Sequence, residues 1–269
     1  MSAPVGLVVC GAAGRMGRRI IALAAEDARV RVVGAIEARG QAAVGADAGD
    51  LAGIGTSGVR IGDDLEAVAG PSTVIVDFTA AEASLAHLRI AAKKHAPIVI
   101  GSTGFTPEQR VETERLAAGT ATLIAANMSL GVNVLLGLVE EAARRLGPAF
   151  DCEIFELHHG RKKDAPSGTA LALADAAARG KSLDPATSLR LAREGMTGER
   201  PRDEIGVVAL RGGDAVGEHT VMLIGAGERV ELTHRATSRD CLASGAIHAA
   251  AWLAGRRPGL YSMRDVLFG

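Results

Sequence analysis

The sequence predicts an α/β fold: a parallel-sheet domain followed by a second, α+β domain with a mixed sheet. Three observations predict it. Short β-branched runs alternate with alanine-rich helical patterns through the first half. That rhythm changes after Asn127 to longer alternating strands and a hairpin. A glycine-bearing turn joins the first strand to the first helix. Continuous apolar strands that alternate with helices imply a parallel sheet covered on both faces.

Taken in order, residues 5–10 form a strand, 15–25 a helix and 31–36 a second strand. Residues 59–61 are a weak strand pattern and 74–77 a stronger one. A helix follows over 80–95, then a strand over 97–100. Residues 107–118 form a helix with Pro107 at its start and Thr106 as its N-cap. A strand over 120–125 closes this half. The second half opens with an amphipathic helix over 131–146, a strand over 152–158 and a helix over 168–179. Strands follow at 205–210, 218–224 and 229–235, the last two flanking the turn Gly225-Ala226-Gly227. Val230, Leu232 and His234 alternate with Arg229, Glu231 and Thr233, so this sheet has one covered face. Its other face awaits a helix layer or a partner subunit. Residues 181–203 are polar, contain Pro185, Gly195, Gly198 and Pro201, and read as a mobile loop. Residues 238–254 return to helix. The expected domains are 1–127 with 239–269, and 128–238.

The chain has 269 residues, room for one large domain or two modest ones. Its 30 basic residues balance 31 acidic ones, so no global field draws it to nucleic acid or membrane, and neither is expected as a partner. Cys10, Cys152 and Cys241 stand in no metal-ligand pattern and read as buried thiols of a reducing compartment. The apolar run at 5–10 follows Met1 without a basic leader, and no stretch approaches the roughly 18 apolar residues of a membrane span. A cytoplasmic location is expected.

"GAAGRMG" at 11–17 places Gly11, Gly14 and Gly17 between strand and helix. Glycines there let the backbone turn tightly and approach a pyrophosphate, while the helix start offers N–H groups to it. Glu37 follows the second strand, where a carboxylate accepts hydrogen bonds from an adenosine ribose. Together these point to a dinucleotide. The same carboxylate repels a 2′-phosphate, and Arg39 offsets that in part. Two loops at strand ends, Asp77-Phe78-Thr79 and Gly101-Ser102-Thr103-Gly104, lie where such sheets bind ligands.

"ELHHGRKKDAPSGTA" over 156–170 crowds polar groups between apolar segments. His158 and His159 are adjacent at a strand end, so their rings diverge. With no Cys or carboxylate at ligand spacing, no metal is expected. Ser167 or Thr169 caps the next helix, and the start of that helix at Gly168 and Thr169 makes an anion seat. A lysine beside such a seat is a carboxylate or phosphate receptor, suited to a small dicarboxylate. A hydride from a reduced nicotinamide leaves negative charge on an acidic, conjugated acceptor. His158 is the natural proton-handling group. Lys162 supports the developing charge or donates the proton itself.

These motifs resemble the dihydrodipicolinate reductase family. "GSTG" at 101–104 is similar to that family's GTTG, and the 156–170 stretch to its E-x-HHxxKxDAPSGTA; "AANMSLGVNVL" at 125–135 agrees as well. The resemblance spans the chain in order. It implies a Rossmann-like cofactor domain completed by the C-terminal helix, a substrate domain, and a homotetramer in which the substrate-domain sheets meet. It implies NAD(P)H-dependent reduction of a cyclic dipicolinate precursor with loss of water. His158 and Lys162 resemble the proton-handling pair, and His159, Lys162, Ser167, Gly168 and Thr169 the substrate contacts. Gly11, Ala12, Ala13, Gly14, Arg15, Met16, Glu37, Gly101, Ser102, Thr103, Ala125, Ala126, Asn127 and Met128 resemble the cofactor contacts. Members that use NADPH well often carry Arg directly after the acidic residue; here Ala38 holds that place. NADH is therefore expected to serve at least as well as NADPH. Two other readings compete: a semialdehyde-type dehydrogenase, which needs a nucleophilic Cys, and a non-catalytic dinucleotide sensor. Asp240 and Cys241 find no functional account at this level.

Overall fold

A computed structural model describes residues 3–269. In chain order its elements are β1 (Val5–Cys10), α1 (Arg15–Ala24), β2 (Val30–Ile36), α2 (Ala48–Ala52), β3 (Ile61–Gly62), β4 (Thr73–Asp77), α3 (Ala81–Lys94), β5 (Ile98–Ile100), α4 (Pro107–Ala117) and β6 (Ala121–Ile124). There follow α5 (Leu130–Leu146), β7 (Asp151–His158), α6 (Gly168–Lys181), α7 (Pro185–Ser188), β8 (Leu189–Arg190), β9 (Ile205–Arg211), β10 (Gly217–Ile224), β11 (Arg229–Ala236), α8 (Asp240–Leu253), β12 (Gly259–Tyr261) and α9 (Met263–Phe268). The chain divides into two compact units, 1–130 with 240–269, and 131–239.

The first unit holds a seven-stranded, all-parallel sheet in the order β12-β6-β5-β4-β1-β2-β3. The order reverses between β1 and β4, the place where such sheets bind ligands at their strand C-termini. The central strands are apolar without alternation because both faces are covered: Leu7 and Val9 pack in one core with Ile20, Ile21, Ala246 and Leu253, while Val8 and Ile75 pack in another with Leu85 and Leu88. Thr106 caps α4 by a reciprocal bond with Gln109, and Pro107 opens it, as the sequence predicts. Asp240, unexplained in sequence, accepts both arms of the Arg19 guanidinium at 2.8 Å, tying the start of α8 to α1.

The second unit is a mixed sheet in the order β11-β10-β7-β9-β8. β7 runs antiparallel to β10 and parallel to β9. One face is covered: Cys152, Ile154, Val207, Val221 and Leu223 pack with Leu135, Val139, Leu173 and Ala177 of α5 and α6. On the opposite face Val208 and Leu210 are exposed. The hairpin turns through Gly227 at φ +85.

Three sequence expectations need correction. Residues 181–203 are not a featureless loop: α6 runs to Lys181, and α7 and β8 follow. The remainder is held by Arg193 and Arg200, which both bind Glu153, with further bonds from Arg193 to Glu204 and from Arg200 to Asp151. The weak strand at 59–61 lies at Ile61–Gly62 instead. Cys10 and Cys152 are buried, but Cys241 is only half-buried. No helix of the described residues is long and apolar enough to cross a membrane.

Candidate active site

The residues singled out in sequence fall on two sets of loops, one in each unit. In the first unit β1 leads into the glycine turn. Gly11 adopts φ +69, a conformation that glycine takes at little cost. Its N–H and that of Ala12 donate to the Ile36 carbonyl at 2.9 and 3.1 Å, folding the turn over the end of β2. Gly17 meets a different need. A Cβ there would lie 2.2 Å from the Gly11 carbonyl oxygen and 2.8 Å from Ala12 Cα, so helix and turn approach this closely only with glycine. Ala13 N–H donates to Glu37 Oε1 at 2.8 Å, coupling the turn to the acidic residue. Gly14 starts α1 with no side-chain cap, and Arg15 is exposed beside it, with Met16 half-buried. A helix start without a capping side chain suits an anion.

A cavity of about 400 Å³ adjoins the turn, lined by Gly11, Glu37, Ala38, Arg39, Thr79 and His87 with Asp63, Asp64 and Glu66. Four carboxylates thus line the cavity; Glu66 is paired with Lys93, and Arg39 already donates to Asp63 at 3.3 Å, which leaves Glu37 and Asp64 to set its charge. The balance favours a ribose hydroxyl over a phosphate. At the next strand end Gly101 lies against the Phe78 ring, and Thr103 is exposed. Ser102 is buried and its hydroxyl accepts from Ser84 at 2.7 Å. Beneath this loop lies a network not anticipated in sequence: buried Asp77 accepts from the Thr79 N–H and hydroxyl at 2.8 and 2.7 Å and bonds His87 Nδ1 at 2.6 Å. Ala125 and Asn127 are half-buried and Ala126 is exposed. Met128 is fully buried in the first core, its carbonyl packed closely against Gly245 of α8, so it anchors the segment from within.

In the second unit β7 ends at His158. Strand alternation puts Ile154, Glu156 and His158 on one face, and this corrects the expectation that no carboxylate accompanies the histidines. Glu156 is fully buried and Oε2 pairs with His158 Nδ1. Arg211, directly across from His158 on β9, donates to both Glu156 oxygens at 3.0 Å. Ser167 N–H donates to Oε1 at 3.0 Å. Burial alone would raise the Glu156 carboxyl, but the bonds from Arg211, His158 and Ser167 bring it below the ordinary range. Glu156, His158 and His219 offer three ligand atoms within 4.8 Å of one another. A cation there would have to displace the guanidinium that covers both carboxylate oxygens.

His219, opposite Glu156 on β10, meets the His158 ring edge-on at 5.2 Å. Burial, then the neighbouring His158, pushes His219 down to about 4, so it is neutral near pH 7. His159 diverges from His158, with Nε2 3.4 Å from the Arg239 guanidinium. Desolvation and then Arg161 and Arg239 pull His159 down, the mark of a cationic surrounding. Lys162 Nζ donates to both Asp164 oxygens at 3.0 and 2.8 Å. Ser167 caps the helix, as the sequence allows: its hydroxyl accepts from Ala170 N–H at 3.2 Å and pairs with His219 Nε2 at 3.1 Å. Gly168 and Thr169 open α6, whose first turn directs N–H groups past the helix end. Arg211 also donates to the Asp164 carbonyl at 2.7 Å. Strand end, 159–164 turn and helix start are therefore one bonded assembly, rich in cations and suited to a carboxylate-bearing ligand.

Cys152 is buried and its thiol is pushed up to about 12 by desolvation, which removes it as a nucleophile. The semialdehyde-type reading loses the cysteine it would draw on in the second unit.

Residues 5–128 match the family model for the dihydrodipicolinate reductase N-terminus, and 131–267 that for its C-terminus. The chain belongs to the dihydrodipicolinate reductase family. The 4-hydroxy-tetrahydrodipicolinate reductase of Geobacter metallireducens is 51% identical over 98% of this chain and 98% of its own length. That of Anaeromyxobacter sp. is 52% identical over 98% of this chain and 97% of its own. A dipicolinate-bound dihydrodipicolinate reductase from Paenisporosarcina sp. TG-14 shares the fold with a TM-score of 0.78, at 22% identity and covering 97% of this chain and 98% of that one. Membership of this reductase family makes the chain an NAD(P)H-dependent oxidoreductase and leaves the sensor reading without support.

Proposed function

We propose that the chain reduces 4-hydroxy-tetrahydrodipicolinate to tetrahydrodipicolinate with NAD(P)H, with loss of water, in lysine and diaminopimelate biosynthesis. The observation that carries the proposal is the bonded cluster of His158, His159, Lys162 and the start of α6. The first unit is the cofactor domain and the second the substrate domain. The glycine turn through Met16, Glu37, the loop 101–103 and the segment 125–128 hold the dinucleotide. Bound NAD(P)H supplies the hydride. Lys162 and the first turn of α6 at Gly168 and Thr169 grip the carboxylates of the substrate, with His159 beside them. His158 and Lys162 meet the negative charge that reduction leaves. Loss of NADH absorbance on adding freshly prepared substrate tests the proposal; absence of turnover with either cofactor would refute it.

The acidic cavity around Glu37 leads to a second expected outcome: kcat/KM with NADH at least equals that with NADPH. Ala38→Arg, which adds a cation beside Glu37, should raise kcat/KM for NADPH by about tenfold. A strong NADPH preference in the unaltered protein would mean that Arg39 leaves Asp63 for the 2′-phosphate.

The exposed Val208 and Leu210 support a homotetramer in which these sheet faces meet, and light scattering at four times the chain mass is the expected result. The three unpaired cysteines accord with the cytoplasm as its location.

A further inference from the structure

The proposed function leaves open how the His158 imidazole is held and which of its nitrogens works. We infer that Glu156, clamped by Arg211, is a positioning residue that keeps a proton on His158 Nδ1 and so reserves Nε2 for proton exchange with the substrate. The inference rests on the functional reading above.

Four observations carry it. Glu156 Oε2 pairs with Nδ1, and an ionised carboxylate only accepts, so Nδ1 must be the donor. Arg211 bonds both carboxylate oxygens at 3.0 Å and Ser167 N–H adds a third bond, so the anion is fixed in place and orientation. The carboxylate is fully buried, which strengthens its hold on the ring. Lastly, Gly217 faces the other nitrogen. A Cβ at Gly217 would lie 2.9 Å from His158 Nε2, so any side chain there would crowd the working edge. One nitrogen is occupied by a carboxylate and the other lies beside Gly217, where any side chain would meet it.

The proton balance follows. Hydride addition leaves negative charge on the substrate. The Nε2–H bond breaks as its proton passes to that charge, and the ring is left neutral with Nδ1–H still bound to Glu156. A proton taken up from bulk solvent then restores Nε2–H, so each turnover consumes one hydride and one proton. Were Nδ1 to give up its proton instead, the neutral ring would lose its bond to the carboxylate and be free to rotate. A carboxylate that holds an imidazole in one tautomer and supports the imidazolium serves other enzymes in the same way.

The test is a double-mutant cycle with a spectroscopic arm. Glu156→Gln should lower kcat on the order of 10²-fold, with KM changed by less than about threefold and the NADH Kd unaltered. In a His158→Gln background the same change should cost less than about twofold, because a positioning residue has nothing left to position. Gly217→Ala should also lower kcat by about tenfold or more. A Glu156→Gln effect that persists in full in the His158→Gln background would overturn the inference, as would unaltered kcat in Glu156→Gln. The unsubstituted holoenzyme supplies an arm that does not depend on how the variants fold. Ring ¹⁵N shifts at about pH 9, above the ordinary imidazole range, should show His158 protonated at Nδ1, the signals being assigned by their loss in His158→Gln. An Nε2–H tautomer would sink the idea. If His158→Gln itself turns over normally, the functional reading fails; if only Glu156→Gln does, that reading stands and the positioning role falls.

Discussion

Lys162→Met should lower kcat/KM by about three orders of magnitude while leaving the NADH Kd within about twofold. The ammonium stands on the turn after β7, where its own main chain bonds His159 and its Nζ grips Asp164. Asp164 is drawn below the ordinary carboxylate range by that bond, so it stays ionised and lends Lys162 a carboxylate partner until a ligand supplies one. Methionine keeps much of the length and apolar stem but brings no donor. It removes a contact to the substrate carboxylate and a source of charge stabilisation in one step, so both KM and kcat suffer. Steady-state kinetics alongside calorimetric NADH titration separates the two. A variant that keeps most of its kcat/KM would show that Lys162 takes no part in charge stabilisation.

Gly17→Ala should weaken NADH binding by at least about tenfold and lower stability by about 1–3 kcal/mol. The new methyl would meet the Gly11 carbonyl oxygen at 2.2 Å and Ala12 Cα at 2.8 Å, both main-chain atoms with no rotamer to yield. Either α1 retreats or the turn opens, and each breaks the spacing that brings Ala13 N–H to Glu37. Gly14→Ala is the graded comparison. There the methyl meets only the Gly11 oxygen at 3.1 Å, a conflict that a few tenths of an ångström relieve. Its effect on NADH affinity should be several-fold smaller. Equal affinities for both variants and the unaltered protein would show that the turn does not carry the dinucleotide.

Much of this was legible in the sequence for local reasons. The β-branched runs of β1, β4 and β5 announce a doubly covered sheet because their central side chains are continuously apolar, and the cap and proline of α4 are a four-residue signal. Short elements without an apolar run escaped. β12 is Gly-Leu-Tyr with no β-branched residue to mark it, β3 registered only as a weak pattern, and α2 is held by the Asp47 carboxylate, which accepts from Gly49, Asp50, Ser57 and Gly58 across a folded loop. The site divided along the same line. Glycines, histidines and lysine stand in contiguous motifs. The partners of His158 do not: Arg211 and Gly217 arrive through strand register more than fifty residues away. A signal for Glu156 was nonetheless present. Cys152 and Ile154 mark the buried face of β7, and counting by twos sets a carboxylate on it, one strand step before the imidazole.

The salt link between Arg19 and Asp240 belongs to a unit whose two sequence segments are separated by more than a hundred residues. During synthesis the 131–239 segment leaves the ribosome whole, while the seven-stranded sheet still lacks its last edge and the helix that covers Ile20 and Ile21. The inserted unit can therefore finish folding before the host that precedes it, reversing the usual N-to-C order. A chain ending at residue 239 and held on the ribosome by a linker long enough to clear the exit tunnel should already protect β7 and β10 from proteolysis, with β1 protected only once residues 240–269 are added.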